Sequence, residues 1–441
     1  MAICVLGMGY VGLTLALVLA EEKQRVYGID IDKSKIEKLS KLKPVIYEPG
    51  IINLLREVSR SGFFSAHEKL SENMIKEIST YILCIGTPIN EAKDQPVLDY
   101  LIKSFETLLK KLKSNDLIII RSTVPVGTAN GILRKLITEK RPDLILGKNI
   151  FLASAPERTV EGNALDELRK LPQIVGSNDP TSIDKTASIF NKITKTVIRV
   201  SSFESAEVIK LIDNTFRDVS IALGNQFGLL AEKLGLDINQ IIDAANYGYN
   251  RNKILRPGAG VGGPCLVKDP YFLLSSVSDK VDIPLIRLAR KINESMPHHV
   301  VELIEEIYSS TSKSIASSNI LILGFAFKGV PQTDDTRSSP TIGVVDELRK
   351  KGANLFGYDP MVSSVEIEKF GVNSTTLQNL PDIDCIVIMN NNPHYQNLDF
   401  TKILEKSSKP IGFLDGWQMF KPTLMEELGF VYRGIGIGIK Q

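Results

Sequence analysis

The stretch Ala2-Ile3-Cys4-Val5-Leu6-Gly7-Met8-Gly9-Tyr10-Val11-Gly12-Leu13 decides the fold. Its first five residues are apolar and read as a buried strand, the next six hold three glycines, and helical periodicity runs on from Leu13 to Ala20. In a strand–turn–helix of this kind the first glycine permits a tight turn, the second lets the backbone approach a pyrophosphate, and the third allows close helix packing. The pyrophosphate then lies at the helix N-terminus, where unpaired N–H groups and the helix dipole favour an anion. A second strand, 25–30, ends in Asp30, where a carboxylate accepts from both ribose hydroxyls and repels a 2′-phosphate. This spacing predicts NAD rather than NADP, with Gly7, Gly9, Tyr10, Val11, Gly12 and Asp30 as the cofactor-binding set. Two alternatives stand beside it: Asp32 as the ribose partner, and Asp30 as a cap for a helix starting at Lys33.

Moving outward, short apolar runs recur at 80–86, 117–121, 150–155, 172–176 and 196–200, with helical periodicity between several of them. That alternation implies βαβ units and a mostly parallel sheet. From 205 to 232 a wide apolar stripe predicts one long helix, followed by helical pattern at 238–245 and 284–307. Residues 309–318 are rich in serine and threonine and read as a linker. A new strand begins at Asn319 and ends in Gly324, and a helix at 340–351 with strands at 354–358 and 385–389 repeats the logic of the first domain. The expected architecture is α/β: two Rossmann-like domains with parallel sheets, 1–200 and 309–441, joined by a central helical segment, 201–308. Long helices between two such domains are the expected surface of a homodimer.

At 441 residues and 43% apolar content the chain can bury two or three cores. Lys+Arg 53 against Asp+Glu 51 gives no global preference for nucleic acid or an anionic membrane, so neither is an expected partner. Cys4, Cys84, Cys265 and Cys385 are scattered, without CxxC pairs or companion histidines, which argues against a disulfide framework and a zinc site. No metal is expected. No signal peptide and no bilayer-length apolar run are visible, and the chain reads as cytoplasmic.

Three of the cysteines lie in strand-like apolar runs, where cysteine acts as a small hydrophobe. The fourth does not. Gly260-Val261-Gly262-Gly263-Pro264-Cys265-Leu266-Val267-Lys268-Asp269 places Cys265 in a glycine-rich bend, with a cation and a carboxylate close behind it. A thiolate nucleophile needs a positive, partly exposed setting, and glycines let a substrate come close. Lys268 is a candidate for lowering the thiol pKa.

In order and spacing, residues 7–12, Tyr47-Glu48-Pro49-Gly50, Gly86-Thr87-Pro88, Ser122-Thr123-Val124-Pro125-Val126-Gly127-Thr128, Pro156-Glu157-Arg158, Glu207 through Lys210 to Asn214, 262–269, Phe325-Ala326-Phe327-Lys328, Asp334 and Arg337-Ser338-Ser339-Pro340 resemble the nucleotide-sugar 6-dehydrogenases of the UDP-glucose/GDP-mannose dehydrogenase family. The resemblance spans essentially the whole chain. It implies an NAD-dependent, four-electron oxidation of the C6 hydroxyl of a UDP-sugar to the uronate. Cys265 would hold the aldehyde as a thiohemiacetal, a second NAD would oxidise that to a thioester, and water would release the acid.

The same resemblance implies roles for particular residues. Lys210 and Asn214 become an oxyanion site, Glu157 a general base or water activator, and Asp269 part of the base system. Thr123 orients water or lies against the nicotinamide, and Thr87 joins the cofactor set. Gly262, Lys328 and Arg337 meet the substrate, with the UDP in the second domain and Asp334 and Asp335 partly neutralising the two cations. Arg158 and Asn214-Thr215-Phe216-Arg217-Asp218-Val219 are similar to the branch acting on UDP-N-acetylhexosamines, with Arg158 and Arg217 expected to meet phosphate or sugar. Glu161-Gly162 and the Pro264-Cys265 pair are closer to the UDP-glucose pattern. The expected substrate is UDP-N-acetylmannosamine, with UDP-glucose and UDP-N-acetylglucosamine as alternatives. A hydroxyacid dehydrogenase of the 6-phosphogluconate type and a non-catalytic sugar-nucleotide binding protein are the more distant readings.

Overall fold

The computed structural model describes residues 2–90, 95–277 and 281–438. It divides into two compact units: Met1–Asp213 with Tyr271–Asp282, and Asn214–Pro270 with Ile283–Gln441. The residues of the central helical segment are thus shared between the units.

In the first unit the strands lie in the spatial order Phe64–His67, Arg25–Ile29, Ala2–Leu6, Ile78–Leu83, Leu117–Ile120, Phe151–Ser154, Gln173–Gly176, Val197–Val200. Neighbours are parallel except at the Ser154–Gly176 pair, which is antiparallel. The order reverses between Ala2–Leu6 and Ile78–Leu83, and ligands of open α/β sheets bind outside the carboxyl ends of strands at such a reversal. Strand Ala2–Leu6 is buried on both faces: Ile3 and Val5 enter one core, Ala2 and Cys4 the other. Helix Tyr10–Glu21 is buried from Gly12 through Ala20, which is why its sequence is apolar all round.

In the second unit the order is Asn373–Ser374, Asn354–Tyr358, Asn319–Leu323, Cys385–Ile388, Ile411–Asp415, Phe430–Gly434, parallel throughout. It is the same winding, with the reversal between Asn319–Leu323 and Cys385–Ile388. Ile320 and Ile322 pack on one side, Leu321 and Leu323 on the other. Helix Pro284–Thr311 runs further than its periodicity predicts and stops at Ser312, whose φ of 52° is left-handed. The serine-rich stretch therefore begins inside a helix.

Helix Phe203–Lys233 carries two apolar faces rather than one wide stripe. Ala206, Leu211, Ala222 and Ala231 are buried, while Ile212, Phe216, Leu223 and Leu230 are exposed. Among the described residues no helix is long and apolar enough to cross a membrane.

Candidate active site

The glycine turn of the first unit is shaped by contacts at its outer glycines. Gly7 has φ +96°, and a Cβ there would fall 2.4 Å from the Cys84 carbonyl oxygen; one on Gly12 would fall 1.8 Å from the Gly7 oxygen. Gly9 differs. Beyond its chain neighbours no protein atom lies within 4 Å of where its Cβ would be, so contacts within the protein leave that face of the turn open. The Met8 N–H donates to Asp30 Oδ2 at 2.8 Å and the Asp32 N–H to Asp30 Oδ1 at 2.9 Å, fixing that carboxylate beside the turn. Asp32 caps helix Lys33–Ser40 by accepting from Ser34 and Lys35 N–H groups. The cap role thus falls to Asp32, and Asp30 is the carboxylate at the turn.

Beyond strand Leu117–Ile120, the Thr87 hydroxyl donates to the Thr123 carbonyl at 2.6 Å and holds the 122–127 loop. Glu207 clamps the end of that loop, accepting from the Gly127 N–H at 2.6 Å and the Ala129 N–H at 2.9 Å. Burial pushes the Glu207 carboxyl up to about 7, against the lowering effect of those two N–H groups. Glu207, Lys210, Ser122, Thr123, Val124, Ser154 and Pro156 line one small recess. Lys210 is 7% exposed, and among the described residues its ammonium has no hydrogen-bond or ion-pair partner.

Glu157 lies where the sequence places it, past strand Phe151–Ser154, with all its acceptor positions engaged. Arg121 Nη2 and Nε donate to Oε2 at 2.6 and 3.2 Å, and the Arg158 and Thr159 N–H groups donate to Oε1 at 2.7 and 2.9 Å. Burial raises the carboxyl pKa, but the Arg121 charge and these N–H donors outweigh it and hold Glu157 below the usual range. Arg121 is fully buried, with its guanidinium over the Phe190 ring. Arg158 pairs with Asp213 at 2.9 Å.

In the second unit the glycine-rich Cys265 loop lies flush on the loop expected to meet UDP. The Gly263 N–H donates to the Arg337 carbonyl at 3.1 Å. A Cβ on Gly262 would fall 2.6 Å from the Ser338 oxygen, and one on Gly263 2.7 Å from the Phe327 ring, so both glycines are required by close approach. The Cys265 thiol is exposed, whereas Cys4 and Cys385 are buried and their thiols are raised far out of reach of ionisation, chiefly by burial. The Cys265 carbonyl accepts from the Lys268 and Asp269 N–H groups, closing the turn. Asp269 is fully buried between Asn214 Nδ2 at 2.6 Å and Lys268 Nζ at 2.8 Å. Lys268 thus forms an ion pair with Asp269, and Asn214 keeps one amide hydrogen for another acceptor.

Lys328 lies over the Phe327 ring, and Arg337 is ion-paired with Asp335. Asp335 thus supplies part of the expected neutralisation, and Asp334 also lies in the field of Arg337. Arg217 is exposed on helix Phe203–Lys233. Asp359, in the position that Asp30 holds in the first unit, is turned onto the Phe325 and Ala326 N–H groups at 2.7 and 3.0 Å.

Three segments match the UDP-glucose/GDP-mannose dehydrogenase family in order: its NAD binding domain over residues 1–194, its central domain over 204–295 and its UDP binding domain over 321–422. The chain belongs to the UDP-glucose/GDP-mannose dehydrogenase family. It is an NAD-dependent nucleotide-sugar dehydrogenase, with the glycine turn inside the NAD binding match, Cys265 inside the central one, and Lys328 and Arg337 inside the UDP binding one. A UDP-N-acetyl-D-mannosamine dehydrogenase of Pyrococcus horikoshii is 35% identical over 99% of this chain and 100% of its own. A solved UDP-D-ManNAc dehydrogenase structure from Pyrococcus horikoshii superposes with a TM-score of 0.90 at 34% identity, covering all of both chains. A UDP-glucose dehydrogenase from Pyrobaculum islandicum superposes at 0.85 with 26% identity, covering 99% of this chain and 97% of that one.

Two residues that shape this candidate site were not assigned a role from sequence. Arg121 merely ends an apolar run, and Glu207 stands in a quoted motif without a function. Their partners lie 36 and about 80 residues away, at separations that carry no local pattern.

Proposed function

We propose that the chain oxidises the C6 hydroxyl of UDP-N-acetyl-D-mannosamine to the uronate through a thioester on Cys265. One observation carries this reading: the exposed Cys265 thiol sits on a glycine loop packed against Phe327 and Arg337 of the UDP binding segment. Residues 7–12, Asp30, Thr87 and Thr123 would hold NAD, which would supply the hydride acceptor for each of the two oxidations at C6. Lys210 donates to the developing alkoxide and to the oxyanion of each tetrahedral species, joined by the remaining amide hydrogen of Asn214. Asp269, held between Asn214 and Lys268, takes up the proton that leaves the alcohol. The Cys265 thiolate adds to the aldehyde carbon, and loss of a second hydride from the thiohemiacetal leaves the thioester. Water then adds to the thioester carbon and the thiolate departs, so one alcohol, two NAD and one water give the acid, two NADH and protons.

Glu157 is assigned to orienting that water. A carboxylate paired with a guanidinium and two N–H groups is a weak base, so its part is to accept from the water in exchange for one of those donors rather than to deprotonate it. Arg158, Arg217, Gly262, Lys328 and Arg337 are assigned to the nucleotide sugar. The sugar assignment follows the relatives of higher identity; Glu161-Gly162 and Pro264 favour UDP-glucose as the second reading. A panel of UDP-sugars with NAD decides between them, because two NADH per sugar mark the true substrate. The Cys265→Ser and Cys265→Ala variants should lose two-NADH turnover. Retention of it by either, or no NADH from any UDP-sugar, overturns the proposal.

The chain is further proposed to form a homodimer through the exposed face of helix Phe203–Lys233. Ile212, Phe216, Leu223 and Leu230 are each 52% exposed or more and recur at helical spacing, a pattern that costs solvation unless covered.

A further inference from the structure

Tyr10 opens helix Tyr10–Glu21 in the glycine turn, so its backbone belongs to the pyrophosphate end of the cofactor site. Its side chain reaches elsewhere. The hydroxyl donates to Glu48 Oε2 and accepts from the Gly162 N–H at 2.6 Å. Glu48, 4% exposed, accepts from the same Gly162 N–H at 2.9 Å and from the Leu165 N–H at 3.4 Å, at the start of helix Ala164–Lys170. Gly162 has φ +87°, a left-handed turn that glycine takes without strain, and it closes the segment that begins with Glu157 and Arg158. One residue thus has its main chain in the cofactor turn and its side chain in the segment that presents Glu157 and Arg158. Glu48 is the fixed post between them.

We propose that Tyr10 is a positioning residue that couples occupancy of the glycine turn to the order of residues 157–165 through its hydroxyl, Glu48 and the Gly162 N–H. Shifting or fixing the Tyr10 backbone moves or fixes the hydroxyl, because the intervening ring is rigid. Cofactor binding then sets the loop before sugar chemistry starts, and the loop in turn favours the bound turn, since coupling between two sites is reciprocal. Burial, followed by the hydrogen bond to Glu48, raises the Tyr10 phenol, so it stays a protonated donor in the neutral range. The proposal rests on the cofactor lying at residues 7–12.

Amide hydrogen exchange of the full chain with and without NADH tests it. In the wild type NADH should slow exchange both at 7–20 and at 157–165, the latter by about fivefold or more. In Tyr10→Phe the protection at 7–20 should persist and that at 157–165 should fall to within about twofold of the ligand-free rate. Glu48→Gln should behave alike, and in both variants kcat should fall while KM for NAD rises by about the factor lost from the protection of the loop, as reciprocal coupling requires. Protection of 157–165 retained by Tyr10→Phe, or absent from the wild type, overturns the coupling alone. Absence of protection at 7–20 in the wild type overturns the cofactor placement and the coupling with it.

Discussion

Replacing Glu207 with glutamine should change how the stability of the first unit depends on pH. The carboxyl is 3% exposed and is raised from the ordinary 4.5 to about 7, with burial as the largest cause. A raised acid binds its proton more tightly in the folded state, so its contribution is fully present below pH 4.5 and is lost as pH rises through 7. Because a tenfold change in proton affinity corresponds to about 1.4 kcal/mol, the full loss is about 3 kcal/mol, most of it between pH 5 and 8. Glutamine has no such dependence. It can accept one N–H of the Gly127–Ala129 pair but sets an amide against the other, a constant cost of about 1–3 kcal/mol at every pH. The variant should therefore be the less stable protein at pH 5 and should recover relative to wild type by about 2–3 kcal/mol at pH 8. Thermal unfolding of both proteins across this range measures it, since other titrating groups cancel in the difference. For a unit of this size the gap in Tm should move by roughly 5–10 °C. A gap that stays constant from pH 5 to 8 would refute the reasoning.

Arg121→Met should destabilise the first unit by about 3–5 kcal/mol, because it strands the buried Glu157 carboxylate; a fall of less than about 1 kcal/mol in denaturant unfolding would show that the pair is dispensable. Phe216→Glu should shift the molar mass in light scattering from dimer to monomer. In the proposed dimer two Phe216 side chains, each 72% exposed on the isolated chain, would contribute about 3 kcal/mol, roughly a 100-fold change in Kd, and an unchanged mass at low concentration would remove this face as the interface.

Much of the fold was legible because its signals are local. Alternating apolar runs, a glycine turn behind the first strand and long helical stripes each extend over a few turns of chain, and the strands and helices form where those periods place them. Boundaries were less so: helix Pro284–Thr311 continues into the serine-rich stretch because a left-handed residue at Ser312, not composition, ends it. The stripe of helix Phe203–Lys233 read as a single face, since hydropathy alone does not say which apolar residues meet the chain's own core.

The site divides in the same way. By itself the sequence determined the glycine turn, the carboxylate at its second strand and the solitary cysteine among glycines, because each is written in adjacent residues. Tertiary structure decided what those groups touch. It set Arg121 against Glu157, Glu207 against the 127–129 turn, Asp269 between Asn214 and Lys268, and the Cys265 loop against Phe327 and Arg337. Apart from the Lys268–Asp269 pair, those contacts join residues dozens of positions apart, and they exist only once strand order has been fixed and burial makes an unpaired polar group costly.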